Sequence, residues 1–267
     1  MFFRTMWFSL RFLPLLLCAL LWGCAAGLPR QDSRTDEPAT SAQAEGPPME
    51  LQPGIPWVGG EPALWHHKVF PGKRSSDYHL VQLDGRSAMH AQAASSASML
   101  RQTLQVVPQD LNRLRFSWKV PALIETADLA SRELDDSPVR VVLAFDGDRS
   151  RFSMKDAMLS QLSHALTGEP MPYATLMYVW SNQGEEGAVI HNPRTDRIRK
   201  IVLESGPASL GQWRAYERDI RADFERAFGE APGALTGIAI MTDSDNTRSV
   251  TQAWYGPVQL VARPPQN

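Results

Sequence analysis

Cysteine is scarce in this chain of 267 residues: there are two, Cys18 and Cys24, both close to the start. From residue 25 onward there is none, which excludes disulfides, a thiol nucleophile and cysteine-ligated zinc from a folded part built there. A basic excess is missing as well. Lys and Arg number 27 against 29 Asp and Glu, a formal net charge of −2. Nucleic acid is therefore not an expected partner, because its affinity rests on basic patches that neutralise phosphates. The one basic run, Arg194, Arg197, Arg199 and Lys200, alternates with Ile198 and Ile201 and is expected to be a solvated strand face. Catalytic signatures are missing too. Ser95-Ser96-Ala97-Ser98 has no GxSxG context, and the six histidines contain no HExxH spacing.

An apolar stretch does occur at residues 12–27, FLPLLLCALLWGCAAG, with Arg4 and Arg11 ahead of it. A basic start, an apolar centre and small residues at the exit make a secretory signal. Pro14 and the short run count against a spanning helix. The exit, Leu21-Trp22-Gly23-Cys24, resembles the lipobox of bacterial lipoproteins, in which cleavage falls before the cysteine and its sulfur takes a diacylglyceryl group. Trp22 departs from the small residue usual at its position. Loss of residues 1–23 removes Arg4 and Arg11, leaving 25 Lys and Arg against 29 Asp and Glu, a net of −4. From Leu28 to about Trp57, Pro, Ser, Thr, Glu, Gln and Ala dominate. Such a segment cannot offset its ordering entropy by burial and reads as a flexible tether. The expected organisation is a signal over 1–23, a lipidated tether over 24–56 and one domain over 57–267. The expected location is the cell envelope, anchored to a membrane by lipid on Cys24 and facing the periplasm, with soluble secretion as the alternative.

Beyond the tether the dominant period is two. Tyr78–Leu83 runs into Asp84-Gly85, a hairpin signal, with Ser87–Ala93 as the return strand. Leu114–Val120 alternates apolar and polar residues, with Arg115, Ser117 and Lys119 facing out. Val139–Phe145, Thr175–Trp180, Ile198–Leu203, Leu235–Met241 and Ala253–Val261 complete the expected strands. Spaced strands with turn residues between them predict a mainly β fold, a two-layer sandwich of jelly-roll type. Trp213, Tyr216, Ile220, Phe224 and Phe228 recur at three and four, which predicts one long amphipathic covering helix over Trp213–Phe228, capped by Gly229. Glu217 and Arg221 would form a charge pair on its wet face. A second, short helix is expected over Met154–Leu166, with Met158, Leu162 and Leu166 on one side.

Acidic residues cluster at strand ends: Asp135-Asp136, then Asp146 and Asp148, then Asp243, Asp245 and Asn246. If the strands from Val139 and Leu235 are antiparallel neighbours, Asp135, Asp136, Asp243 and Asp245 share one sheet edge. Trp180 and Asn182 would reach the same edge. Three readings of this patch stay open. Its oxygens suit a structural calcium, although not in an EF-hand, since Arg248 and Trp254 stand where that loop needs Gly and Glu. It suits a glycan, with carboxylates on hydroxyls and Trp180 or Trp254 against a ring. Or each cluster is simply a strand-ending turn, where Asp and Asn bond their own backbone. Arg140 lies on the face opposite Val139, Val141, Leu143 and Phe145 and is expected to pair with Asp135, Asp136 or Asp243.

Several stretches together resemble a bacterial family known as domain of unknown function 3047. They are Asp135–Arg140 into Ala144–Asp146, Leu176–Trp180, Arg218–Phe224 into Phe228-Gly229, Ile238–Thr247, and Ala253–Gly256. The resemblance spans about Trp65 to Val261 and implies an envelope protein without an assigned activity, built as a jelly-roll sandwich similar to carbohydrate-binding modules. The expected function is non-catalytic binding of a glycan or other polar envelope ligand by Asp135, Asp136, Trp180, Asn182, Asp243, Asp245 and Asn246. The alternatives are a carboxylate-pair glycoside hydrolase and a structural component of an envelope assembly.

Overall fold

Thirteen strands and two α-helices make up residues 65–261, the part described by the computed structural model. These residues all fall within one of the chain's two compact units, Ser41–Asn267. The signal, lipidation and tether assignments, and the first residues of the expected domain, lie outside the described part.

In chain order the strands are β1 (Trp65–Val69), β2 (Asp77–Leu83), β3 (Arg86–Ala94), β4 (Ala97–Val106), β5 (Arg113–Lys119) and β6 (Ser137–Phe145). Helix α1 (Met154–Thr167) follows, then β7 (Ala174–Ser181), β8 (Val189–His191), β9 (Ile198–Ser205) and β10 (Trp213–Asp219). Helix α2 (Ile220–Phe228) precedes β11 (Leu235–Asp243), β12 (Val250–Tyr255) and β13 (Gln259–Val261). Seven strands form one sheet in the order β1-β4-β11-β6-β7-β9-β8. The other has the order β10-β5-β12-β3-β2, with β13 also on β5. The fold is thus the expected two-layer β-sandwich. Every pairing is antiparallel except β7 with β9.

Alternation builds the core. Leu114, Phe116 and Trp118 on β5 are buried together with Val139, Val141, Leu143 and Phe145 on β6, and Ile238 and Ile240 on β11 join them. Asp84 and Gly85, at φ 53° and 73°, make the two-residue hairpin between β2 and β3, a left-handed pair whose twist matches that of the strands.

The helical stretch from Trp213 is corrected. Its first seven residues are strand β10, paired with β5 along its whole length, and the helix begins only at Ile220. The spacing misleads because two arginines take inward positions beside Tyr216. Arg214 donates to Glu204 at 2.7 Å and Arg218 to Asp223 at 2.6 Å, so period two is satisfied by charge pairs rather than apolar residues. Glu217 pairs with Arg113 and Arg115 across the sheet, not with Arg221. Asp219 caps α2 by accepting from the Ala222 amide at 3.0 Å, and Gly229, at φ 70°, ends it as expected. Strand β4, missed in the sequence, runs ten residues between β1 and β11. The expected strand over Ala253–Val261 is two, β12 and β13. Helix α1 is the longer of the two helices, at 14 residues against 9.

Candidate functional site

Strands β6 and β11 pair antiparallel, so the start of one lies beside the end of the other: Met241 faces Arg140 and Asp243 faces Ser137. The register slips between those two pairs. Pro138 has no amide to donate, and the bulge sits beside it. Side chains repair the ladder there. The Thr242 hydroxyl donates to the Pro138 carbonyl at 2.8 Å, and the Ser137 amide donates to Asp243 Oδ1 at 3.2 Å.

Arg140, 3% exposed, grips Asp243 with two bonds, Nε to Oδ1 at 2.7 Å and Nη2 to Oδ2 at 3.0 Å. Nη2 also reaches the Asp135 carbonyl at 2.9 Å and its Oδ1 at 3.1 Å. Lys200 completes the cluster: its Nζ donates to Asp135 Oδ2 and to the Leu129 carbonyl, each at 2.6 Å. Asp136 does not pair with Arg140. It holds the loop after β11, accepting from the Thr247 amide and hydroxyl at 2.7 Å each and from the Asn246 amide at 3.3 Å. Asn246 Nδ2 donates to the Asp135 carbonyl at 3.3 Å, and Asp245 pairs with Lys73.

Burial raises the Asp243 carboxyl, to about 6; the Arg140 guanidinium opposes the shift and the charges of Asp136 and Asp135 add to it. Burial also works against the charge of Asp135, but Arg140 and Lys200 outweigh it and hold that carboxyl below its usual range. Burial, helped by the nearby Arg140 charge, lowers the Lys200 ammonium to about 8. An unfolded lysine keeps its proton to about 10.4. Between those values the unfolded chain binds more protons than the folded one, so the Lys200 contribution to stability rises with pH through that window. Urea unfolding of the wild type and Lys200→Met is expected to show the wild type gaining on the variant between about pH 8 and 10.4. A gap that stays constant there contradicts the buried-ammonium account.

The outer face of the seven-stranded sheet carries a cavity of about 790 Å³ beside this cluster. Its floor is apolar, with Met99, Met177, Met241, Val142, Ala144 and Ala239. Its roof comes from α1 and the segment after it, through Ser163, Thr167, Glu169 and Met171. Asp135, Arg140, Lys200, Asp243, Asp245 and Asn246 stand at one end. Near the roof Glu169 receives Arg101 at 2.8 Å and Lys68 at 3.1 Å; the Arg101 bond, then Lys68, bring its carboxyl down to about 2 despite burial.

Of the residues expected at the patch, Asp135, Asp136, Asp243, Asp245 and Asn246 come together. Trp180 and Asn182 do not line the cavity. Trp180 is 1% exposed in the core between the sheets, its indole donating to the Gly206 carbonyl at 3.0 Å. Asn182 donates to the Ile124 carbonyl at 2.6 Å. Trp254 lies in the other sheet, stacked on His90 with centroids 5.0 Å apart. Asp136, Asp243 and Asp245 each bring one carboxylate oxygen within 4.8 Å of the others. Their negative charge is already met: Asp243 by Arg140, Asp245 by Lys73, and Asp136 by amide and hydroxyl donors. Lys200 was missed as a site residue and its run is not a solvated face. Ile198 and Ile201 are three apart and so point to opposite sides of a strand, which leaves β9 covered on both faces.

A family model described as "Protein of unknown function (DUF3047)" matches residues 63–259. None of the curated proteins compared matches the chain. Among solved structures, the chain is similar to the xyloglucanase domain of NopAA, a type three effector from Sinorhizobium fredii in complex with cellobiose. Identity there is 9% and the TM-score 0.41, over 74% of this chain and 93% of that one. It is also similar to the family 11 carbohydrate-binding module of the cellulosomal cellulase Lic26A-Cel5E of Clostridium thermocellum. Identity there is 10% and the TM-score 0.38, over 84% of this chain and 97% of that one.

Proposed function

The chain belongs to the DUF3047 family of proteins of unknown function, and from that footing we propose that it is a non-catalytic binding protein of the cell envelope. Its ligand is a glycan or another polar envelope molecule, lying along the outer face of the seven-stranded sheet. Attachment to a membrane through lipid on Cys24 belongs to the same reading. The observation that carries it is the cavity of about 790 Å³, with an apolar floor and a rim of charged groups held in place by one another. That volume is in the range of ligand sites, and such a floor and rim suit a molecule with both C–H faces and hydroxyls. Binding is favoured over glycoside hydrolysis because that chemistry takes two free carboxylates, and of the five that line the cavity only Asp146 is without a cation. Asp135, Asp243, Asp245 and Glu169 are each paired with a cation. Glu169, held near 2, is no proton donor at neutral pH.

Ala144 lies on the cavity floor four residues along β6 from Arg140, so Ala144→Trp fills the groove and leaves the Arg140 ion pairs in place. Titration calorimetry of soluble oligosaccharides released from bacterial envelopes is expected to show binding to the wild type. The variant should bind more weakly by at least about tenfold, a loss of roughly 1.4 kcal/mol. Absence of binding across the set removes the glycan reading; an unchanged Kd in Ala144→Trp moves the site off this face.

A further inference from the structure

Helix α1 is inside out. The side chains it turns inward are polar: Asp156 and Ser160 are buried, with Asp156 bonded to the Thr195 hydroxyl and Ser160 accepting from Arg149 at 3.2 Å. Ser163 and Thr167, one and two turns on, face the cavity. Facing outward, beside the exposed Lys155, Gln161 and His164, is a row of large apolar side chains. Met154 is 92% exposed, Met158 63%, Leu162 53% and Leu166 62%. They recur every four residues and so form one gently winding stripe along the helix. Among the described residues eight large apolar side chains are exposed, and half of them are these four, so the stripe is a concentrated feature and not scatter.

We infer that this stripe seats α1 on the surface of a lipid bilayer. The helix shares with interfacial helices an apolar face, a cation at its border and the absence of an exposed acid of its own. Lys155 and His164 are exposed on α1, and its one carboxylate, Asp156, is turned inward. Just ahead of it Arg149 and Arg151 are exposed, as is Asp148; Arg151 pairs with Glu230 and Arg149 reaches back to Ser160, so Lys155 is the cation free to meet a headgroup. The helix spans about 21 Å, lies along the surface and does not cross it; among the described residues no helix is long and apolar enough to cross a membrane. A second copy of the chain is the weaker occupant. A stable pairing takes about 800 Å² and roughly 20–30 residues per partner, and a single exposed stripe of four side chains falls far short. On the reading proposed above, lipid on Cys24 would bring the chain to a bilayer, so the stripe gives the folded unit an orientation there as well as an attachment. With α1 on the lipid, its polar side still roofs the cavity.

The absence of cysteine from residue 25 onward makes the test local. In the full chain carrying Cys18→Ser and Cys24→Ser, a single cysteine introduced as Leu162→Cys is labelled with the environment-sensitive fluorophore NBD. A control carries the label through Val250→Cys, on the other sheet and 79% exposed. Vesicles of phosphatidylethanolamine and phosphatidylglycerol are expected to shift the position-162 emission to the blue and to brighten it severalfold, with position 250 unchanged. No response at 162, or an equal response at both positions, overturns the inference. So does a blue-shifted signal already present in buffer: one that grows with protein concentration assigns the stripe to a second copy, and one that does not assigns it to another part of the same chain.

Discussion

Arg140→Leu is expected to cost about 3–5 kcal/mol of folding stability, the loss typical of removing one partner from a buried ion pair. The substitution puts an apolar side chain at position 140 of β6 and leaves the Asp243 carboxylate without the guanidinium that binds both its oxygens. The cost depends on pH in a definite direction. Burial already lifts Asp243 to about 6 with Arg140 opposing; without Arg140 it rises further. Below both values the residue is protonated in wild type and variant alike, and the lost attraction matters least. Above 6 the wild type holds a paired carboxylate, while the variant must keep a proton or bury a bare charge. The loss therefore grows as pH rises through 6. Urea unfolding on either side of that pH measures it. The double variant Arg140→Leu/Asp243→Leu should recover much of the stability, since a buried pair exchanged for apolar groups of similar volume is often neutral. A single variant within about 0.5 kcal/mol of wild type would show that the pair holds nothing together.

The convergence around Arg140 was legible because it depends on neighbours along two strands with acidic ends. Once β6 and β11 are antiparallel, Asp135 and Asp243 must meet at one edge. Lys200 was not legible for the opposite reason. It arrives through the parallel pairing of β7 with β9, whose register no local signal gives. The strand β10 hid behind helical spacing because Arg214 and Arg218 sit inward on carboxylates outside the strand, Glu204 in β9 and Asp223 in α2. The cavity was invisible for a related reason. Met99, Met177 and Met241 come from β4, β7 and β11, and only the order of the sheet brings them into one floor. Its apolar residues read, one strand at a time, as ordinary core.

Trp180→Ala separates a core role from a ligand role at the residue that the sequence alone placed on the binding edge. In Met177-Tyr178-Val179-Trp180 both parities are apolar, so alternation does not say which face Trp180 takes. The fold decides it: Tyr178 and Trp180 point between the sheets, and Met177 points to the cavity. Truncation removes a fully buried indole and its bond to the Gly206 carbonyl, 3.0 Å away, at the turn that follows β9. The expected loss is about 3–5 kcal/mol, the range for Trp or Phe cut to Ala in a core. Trp180→Phe, which keeps most of the volume and loses the indole donor, should cost clearly less. Oligosaccharide affinity of the Phe variant, measured where it is folded, should match wild type, because no atom of Trp180 lines the groove. The reverse pattern, an Ala variant as stable as wild type with binding abolished, would return the indole to the ligand and remove the cavity as the site.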